Sequence, residues 1–288
     1  MRFLFTTTLL LFSLCPLFFH CSEPVKKPTA LQVFVSIPPQ KYFVEKIGKG
    51  LLDVNVLIPA GSSPHSYEPK PAQLARLSQS KLFFAIGGDF EKAWLPRVSK
   101  DLHQLKIVYA INETENDHSS DHHEHSHGLD PHIWLSPELV LKQADTIAAE
   151  LALLDSVNKE VYLKNCEAFK AEIRELQQKI RSLLRNCRPG QPFMVFHPSW
   201  GYFAEEFGLT QISVEVEGKE PGMREMESII RKARESRIRT IFVQPQFSRR
   251  TAEVIAGQLK TEIVIADPLA EDWPGSLLSL AESLGKNE

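Results

Sequence analysis

Apolar positions along this chain alternate between two rhythms. Short runs of strand length occur at 31–37 (LQVFVSI), 53–59 (DVNVLIP), 81–86 (KLFFAI) and 105–110 (LKIVYA), each bounded by Gly, Pro or polar residues. Segments at 38–49, 72–79 and 91–100 fall between them and have helical character. The second half repeats the scheme, with strands at 193–196, 210–216, 240–243 and 262–266. Helical patterns at 200–207, 223–236 and 249–259 separate these strands, and a short one at 276–284 closes the chain. Alternation of this kind predicts parallel sheets covered by helices.

Between the halves the rhythm is purely helical. Residues 137–154 form an amphipathic pattern with Leu139, Ile147, Leu151 and Leu154, and Asp155-Ser156 interrupts it. Residues 157–184 contain no Pro and no Gly. Their apolar positions, Val161, Phe169, Ile173, Leu176, Ile180 and Leu183, step by three or four after a wider first gap. This predicts one helix roughly 42 Å long, stopped by Arg188-Pro189-Gly190. The fold expected is therefore α/β, with two lobes, each a mainly parallel sheet flanked by helices, bridged by one long helix. The corresponding organisation is a leader at 1–22, a first lobe at 23–155, the bridge at 156–187 and a second lobe at 188–288.

Composition narrows the compartment more than the chemistry. The 288 residues are 43% hydrophobic and 24% charged with net charge −3, a balance that gives no hint of nucleic acid, which would call for a basic surface. Arg2 is the only early charge and 3–19 is almost continuously apolar, the pattern of an export signal. That run is short for a membrane span and holds Pro16 and three threonines, so an uncleaved anchor is the lesser alternative. Cys21 is a candidate lipid anchor, although Phe18-Phe19-His20 before it lacks the small residues such a site prefers. The chain is expected outside the cytoplasm, where disulfides are permitted. Cys166 and Cys187, however, lie 21 positions apart along the long helical pattern, about 30 Å and far beyond disulfide reach. Two free thiols are expected.

The distribution of the ten histidines is unusual. His20 lies in the leader, and His118, His122, His123, His125 and His127 crowd one polar stretch at 117–129 that has no apolar residue until Leu129. Such a segment cannot bury itself and reads as a loop that collects metal weakly, or simply as a solvated spacer. Directly after it, Asp130-Pro131-His132 is stiff, Trp134 and Leu135 are anchors, and Ser136-Pro137 reads as a helix cap and first turn. His65 follows the second strand and His132 the fourth, while His197 and Asp267 end two strands of the second half. The carboxyl ends of strands face the ligand crevice in open α/β sheets. Three imidazoles and one carboxylate there suit a borderline divalent ion, Zn²⁺ before Mn²⁺. Taken singly, His65 reads as a surface residue, His132 as a helix entry, His197 as a core residue and Asp267 as a turn cap. Their shared placement raises them. His103 has no strand end nearby and reads as surface.

Five segments carry a resemblance to a known family: Pro64-His65-Ser66-Tyr67-Glu68-Pro69, Asp130-Pro131-His132-Ile133-Trp134-Leu135-Ser136-Pro137, Phe196-His197-Pro198-Ser199-Trp200-Gly201-Tyr202-Phe203, Gln244-Pro245-Gln246-Phe247 and Asp267-Pro268-Leu269. In this order they resemble the ZnuA/TroA-like (cluster A-I, cluster 9) metal-binding proteins of ABC importers of zinc and manganese. The resemblance implies pseudo-symmetric lobes with the metal site in the cleft between them. It implies His65, His132, His197 and Asp267 as ligands, and a His-rich loop that goes with zinc. Gln244, Glu68, Trp134 and the loop histidines are auxiliary candidates. An ABC permease is the implied partner and a monomer the implied state. The chain departs from the family in having Gln244 where a glutamate is common, which removes a negative charge near the cleft. It also has Ala270-Glu271-Asp272 where a glycine often follows Asp-Pro-Leu.

Two readings from other classes compete. In a zinc hydrolase Asp267 would serve as general base, but no HExxH pattern is present. In a surface adhesin the metal would be structural.

Overall fold

The computed structural model describes residues 30–98, 102, 104–110, 130–216 and 219–286. The expected leader at 1–22, His103 and the histidine-rich stretch, including His118, His122, His123, His125 and His127, lie outside the described residues. Strands β1 (Leu31–Val35), β2 (Leu52–Val56), β3 (Leu82–Ala85) and β4 (Lys106–Tyr109) form one sheet, and β5 (Gln191–Val195), β6 (Leu209–Ser213), β7 (Thr240–Val243) and β8 (Glu262–Ile265) the other. The orders are β2-β1-β3-β4 and β6-β5-β7-β8, with every pairing parallel. The two lobes thus share one topology. In each, the chain leaves its first strand toward one edge and then crosses to the other side. The crevice opens above the carboxyl ends at that switch point, between β1 and β3 and between β5 and β7. Central strands β3 and β7 are buried at every position, while the edge strands β4 and β8 are only partly covered. Helices on both faces of a parallel sheet produce this contrast.

The helices are α1 (Pro38–Gly48), α2 (Pro71–Leu77), α3 (Asp89–Val98), α4 (Pro137–Leu154), α5 (Lys159–Leu183), α6 (Gly201–Phe207), α7 (Met223–Glu235), α8 (Arg249–Leu259) and α9 (Trp273–Lys286). Among the described residues, no helix is long and apolar enough to cross a membrane. Proline opens α1, α2 and α4, where its missing N–H costs nothing. The Ser136 hydroxyl accepts from Leu139 N at 3.2 Å and caps α4 as its sequence suggests. Helix α9 begins three residues before the expected 276, because Pro274-Gly275 is a first turn and not a break. Asp272 Oδ1 accepts from Gly275 N at 3.2 Å there.

The bridge is shorter than its apolar pattern suggests. A 3-10 turn at Ser156–Asn158 precedes α5. Asp155 Oδ2 accepts from Asn158 Nδ2 at 2.7 Å and from Tyr162 Oη at 2.8 Å, which fixes the corner after α4. The buried stripe of α5 is Tyr162, Cys166, Phe169, Ile173, Leu176 and Ile180, at strict three- and four-residue steps. Val161, the expected first position, is exposed instead. The stripe packs on α1 and α4 of the first lobe and on α9. Phe43 of α1 meets Phe169 at 5.9 Å and Trp273 at 5.0 Å, so one aromatic cluster joins the first lobe, the bridge and the C-terminal helix. Near the far end of α5, the position of a Cβ on Gly285 would lie 2.4 Å from the Leu183 carbonyl oxygen, and only glycine permits that approach. A single hydrophobic core runs through both lobes, and a smaller one fills the other face of the second sheet under α7 and α8.

Buried Glu91 ties β1 to β3 at their carboxyl ends. It accepts from Ile86 N at 3.1 Å, Gly87 N at 2.6 Å and the Ser36 hydroxyl. Burial still dominates these donors and pushes its pKa up.

Candidate metal centre

The three histidines converge from separate connections. His65 stands on the loop after β2. Gln73 braces that loop by donating to Leu57 O at 2.8 Å and accepting from Tyr67 Oη at 2.6 Å and Lys70 N at 2.9 Å. His132 precedes the 3-10 turn Ile133–Leu135. His197 lies two residues beyond β5, with its backbone clamped by Gln244: His197 N donates to Gln244 Oε1 at 3.1 Å, and Gln244 Nε2 donates to His197 O at 2.7 Å. His132 and His197 are buried, while His65 is exposed at the mouth.

Their donor nitrogens all lie within 4.8 Å of one another. Ring centroids are 4.6 Å apart for His65–His197, 5.2 Å for His132–His197 and 5.8 Å for His65–His132. The Nε2 atoms of His65 and His197 are 2.9 Å apart. Two nitrogens on one tetrahedral zinc stand about 3.3 Å apart, given bonds of about 2.0–2.1 Å. An ion therefore needs only a slight opening of the pair.

Carboxylates set the direction of two rings. His132 Nδ1 is 2.6 Å from Asp130 Oδ1, and His197 Nδ1 makes a short hydrogen bond with Glu215 Oε2. A carboxylate accepts, so each Nδ1 carries the proton and each Nε2 lone pair is left for an ion. The Phe247 ring stacks on His197 at 4.9 Å and 19°. Trp134 anchors the His132 loop across the lobes. Its Nε1 donates to Pro268 O at 2.7 Å, and its carbonyl accepts from Trp273 Nε1 at 2.6 Å.

Asp267 follows β8 but is not a member of the group within 4.8 Å. Its Oδ1 accepts from Gln246 Nε2 at 2.9 Å and Leu269 N at 3.0 Å. Gln244 is fully buried and spends its amide on the His197 backbone and the Ser199 hydroxyl. Glu68 is exposed and outside the group. Glu215, not singled out by the sequence reading, supplies the negative charge that Gln244 lacks. Reading 210–216 as one strand hid it. The strand in fact ends at Ser213, and the chain bends so that Val214 N and Glu215 N both reach Phe196 O, at 3.2 and 2.9 Å. A lone acid between Val214 and Val216 at a strand's carboxyl end was the available signal.

A second cluster, Asp145, Cys166 and Glu167, is unsuited to a cation. Lys170 Nζ already sits 2.8 Å from Asp145 and 3.1 Å from Glu167. Burial, then the Asp145 charge, pushes the Cys166 thiol up to about 11. Cys166 forms no disulfide with Cys187, as their spacing implies.

Residues 33–284 match the family model described as zinc-uptake complex component A, periplasmic (ZnuA). The chain belongs to the ZnuA family. This is a family of transport binding proteins and not of enzymes. The high-affinity zinc uptake system protein ZnuA of Bacillus subtilis (strain 168) is 28% identical over 254 residues, 83% of this chain and 79% of the relative. The Yersinia pestis protein of the same name is 28% identical over 263 residues, 82% of each chain. A crystal structure of ZnuA matches with TM-score 0.82 at 41% identity, over 90% of this chain and 99% of that one. A ZnuA deletion mutant with zinc bound matches with TM-score 0.82 at 41% identity, over 89% of this chain and 97% of that one.

Proposed function

We propose that this ZnuA-family protein captures Zn²⁺ outside the cytoplasm and delivers it to the permease of an ABC importer, with His65, His132, His197 and Asp267 as the ligands. The observation that carries the reading is the convergence of three imidazoles from three separate segments of the chain, two with Nδ1 on a carboxylate. Nitrogen donors favour zinc over manganese, which prefers more oxygen. Zinc-bound ZnuA among the similar structures supports the same choice. Asp267 joins as fourth ligand through Oδ2, since Oδ1 is occupied by Gln246 and Leu269.

The buried pair His132 and His197 is held by side chains and backbone from both lobes and forms the fixed part of the site. His65 is exposed on a loop and closes over the ion last and leaves first. Delivery then requires the permease to displace one loop ligand rather than unfold the site. The histidines at 117–129 collect metal before the tight site takes it. The leader at 1–22 directs export, and the protein acts as a monomer with 23–155, 156–187 and 188–288 as lobe, bridge and lobe.

Elemental analysis of tag-free protein, followed by competitive zinc and manganese titration, tests this. The expected result is one tight zinc per chain, bound well ahead of manganese. That stoichiometry persists after deletion of 117–127, with only weaker sites lost. Tighter manganese binding, or loss of the tight site on deletion, would overturn the assignment.

A further inference from the structure

The loop that follows β7 reaches two of the proposed ligands at once. It is braced at both ends against His197. Gln244 clamps the His197 backbone, and the Phe247 ring stacks on the imidazole at 4.9 Å. Phe247 N donates to Gln244 O at 3.2 Å and closes the turn between them. Gln246 therefore has a fixed base. Its side chain extends to Asp267, where Nε2 donates to Oδ1 at 2.9 Å.

The amide has one usable orientation there. An ionised carboxylate only accepts, so the nitrogen must face it. That orientation leaves Gln246 Oε1 buried without a donor among the described residues, an unfavourable arrangement that the Asp267 contact has to offset. Asp267 Oδ1 also accepts from Leu269 N at 3.0 Å, a bond made inside the Asp-Pro-Leu turn itself. A carboxylate oxygen offers about two lone-pair sites, and these two donors fill them. Gln246 is the member of the pair that a side-chain change can remove.

We propose, on the reading of Asp267 as a ligand, that Gln246 sets the metal preference of the site by confining Asp267 to Oδ2. With Oδ1 filled, the carboxylate binds through one oxygen. Three imidazoles and that oxygen make four ligands, the number that tetrahedral zinc takes. With Oδ1 released, the carboxylate chelates through both oxygens, as carboxylates do on ions of higher coordination number. The site then gains an oxygen and a fifth position, and both favour manganese. Gln246 acts through Asp267 and is a positioning residue.

The test is Gln246→Met in the full mature chain, which keeps the length of the side chain and removes the donor. Co²⁺ loaded at one ion per chain reports coordination number, because four-coordinate cobalt absorbs visible light more strongly than five-coordinate cobalt. Wild type should give the intense four-coordinate spectrum, and Gln246→Met should lose at least half of that intensity. Competition titration should show the ratio of zinc to manganese affinity falling about tenfold in Gln246→Met, with the metal stoichiometry and the metal-free melting temperature unchanged. If Gln246→Met does not fold, Gln246→Ala carries the same comparison. Asp267→Ala separates this proposal from the reading beneath it, and should change the cobalt spectrum and weaken zinc about tenfold. An Asp267→Ala protein indistinguishable from wild type would remove Asp267 from the ligand set, and the role of Gln246 with it. An altered Asp267→Ala protein beside a Gln246→Met protein with the wild-type spectrum and metal ratio would overturn the proposal alone. A five-coordinate spectrum in wild type would overturn it as well.

Discussion

Glu215 is the sharpest handle on the metal centre, because it touches the site through one atom of one ligand. Its carboxylate is buried beside the His197 ring, with side-chain exposures of 8% and 10% for the pair. Glu215→Leu removes both the charge and the acceptor that keep Nδ1 protonated and Nε2 aimed at the ion. Outer carboxylates of this kind are worth about 10- to 100-fold in metal affinity, or about 1.4–2.7 kcal/mol at 1.36 per decade. Burial places Glu215→Leu at the upper end. Glu215→Gln retains an acceptor oxygen and loses only the charge, so about tenfold is expected. The assay is competition with a calibrated zinc chelator at constant pH, with stoichiometry and metal-free melting temperature measured in parallel. One zinc per chain should remain in both variants, with affinity falling in the order wild type, Gln, Leu. A Glu215→Leu protein that binds zinc within twofold of wild type would refute the argument that this carboxylate orients His197.

Three further outcomes follow from the same geometry. Protons compete with zinc for three imidazole nitrogens. Zinc affinity should therefore fall on acidification, and a flat titration from pH 7.5 to 5.5 would exclude an imidazole site. Cys166 is buried and its thiol is pushed up to about 11. At pH 8 its thiolate fraction is about a thousandth, against about a quarter for an ordinary thiol, and mass-mapped alkylation should be at least a hundredfold slower than for a free model thiol. Zinc loading should leave the radius of gyration of the 117–127 deletion variant unchanged by small-angle scattering. Domain closure would have to part Phe43, Phe169 and Trp273, and a clear contraction would show that α5 is a hinge.

Much of this architecture was legible because the chain writes each element in its own rhythm. The strand at 240–243 and the helices at 137–154 and 249–259 begin and end where the apolar pattern and the caps place them. The phase of α5 was less legible. Tyr162, Asn165 and Cys166 are polar or small, and so did not register as the start of a buried stripe, yet Tyr162 spends its hydroxyl on Asp155 and Asn165 donates to Ile47 O at 2.9 Å. The histidines were legible as strand-end residues. Their supports were not, since Glu215, Gln246 and the reciprocal Trp134–Trp273 contact depend on where loops bend and which carbonyls they expose. Gln244 shows the limit of reading charge by position. Its amide serves as a backbone clamp, and the carboxylate beside His197 comes from beyond the end of β6 instead.

The central claim is the ligand set itself. Zinc K-edge X-ray absorption on protein carrying one zinc per chain, with 117–127 deleted so that no loop histidine contributes, reads it directly. The account predicts four light-atom neighbours at about 2.0–2.1 Å, with imidazole outer-shell scattering from three rings. One ring should be lost in each of His65→Ala, His132→Ala and His197→Ala, and one oxygen in Asp267→Ala. A sulfur neighbour at about 2.3 Å, or a spectrum unchanged by these four substitutions, would contradict it.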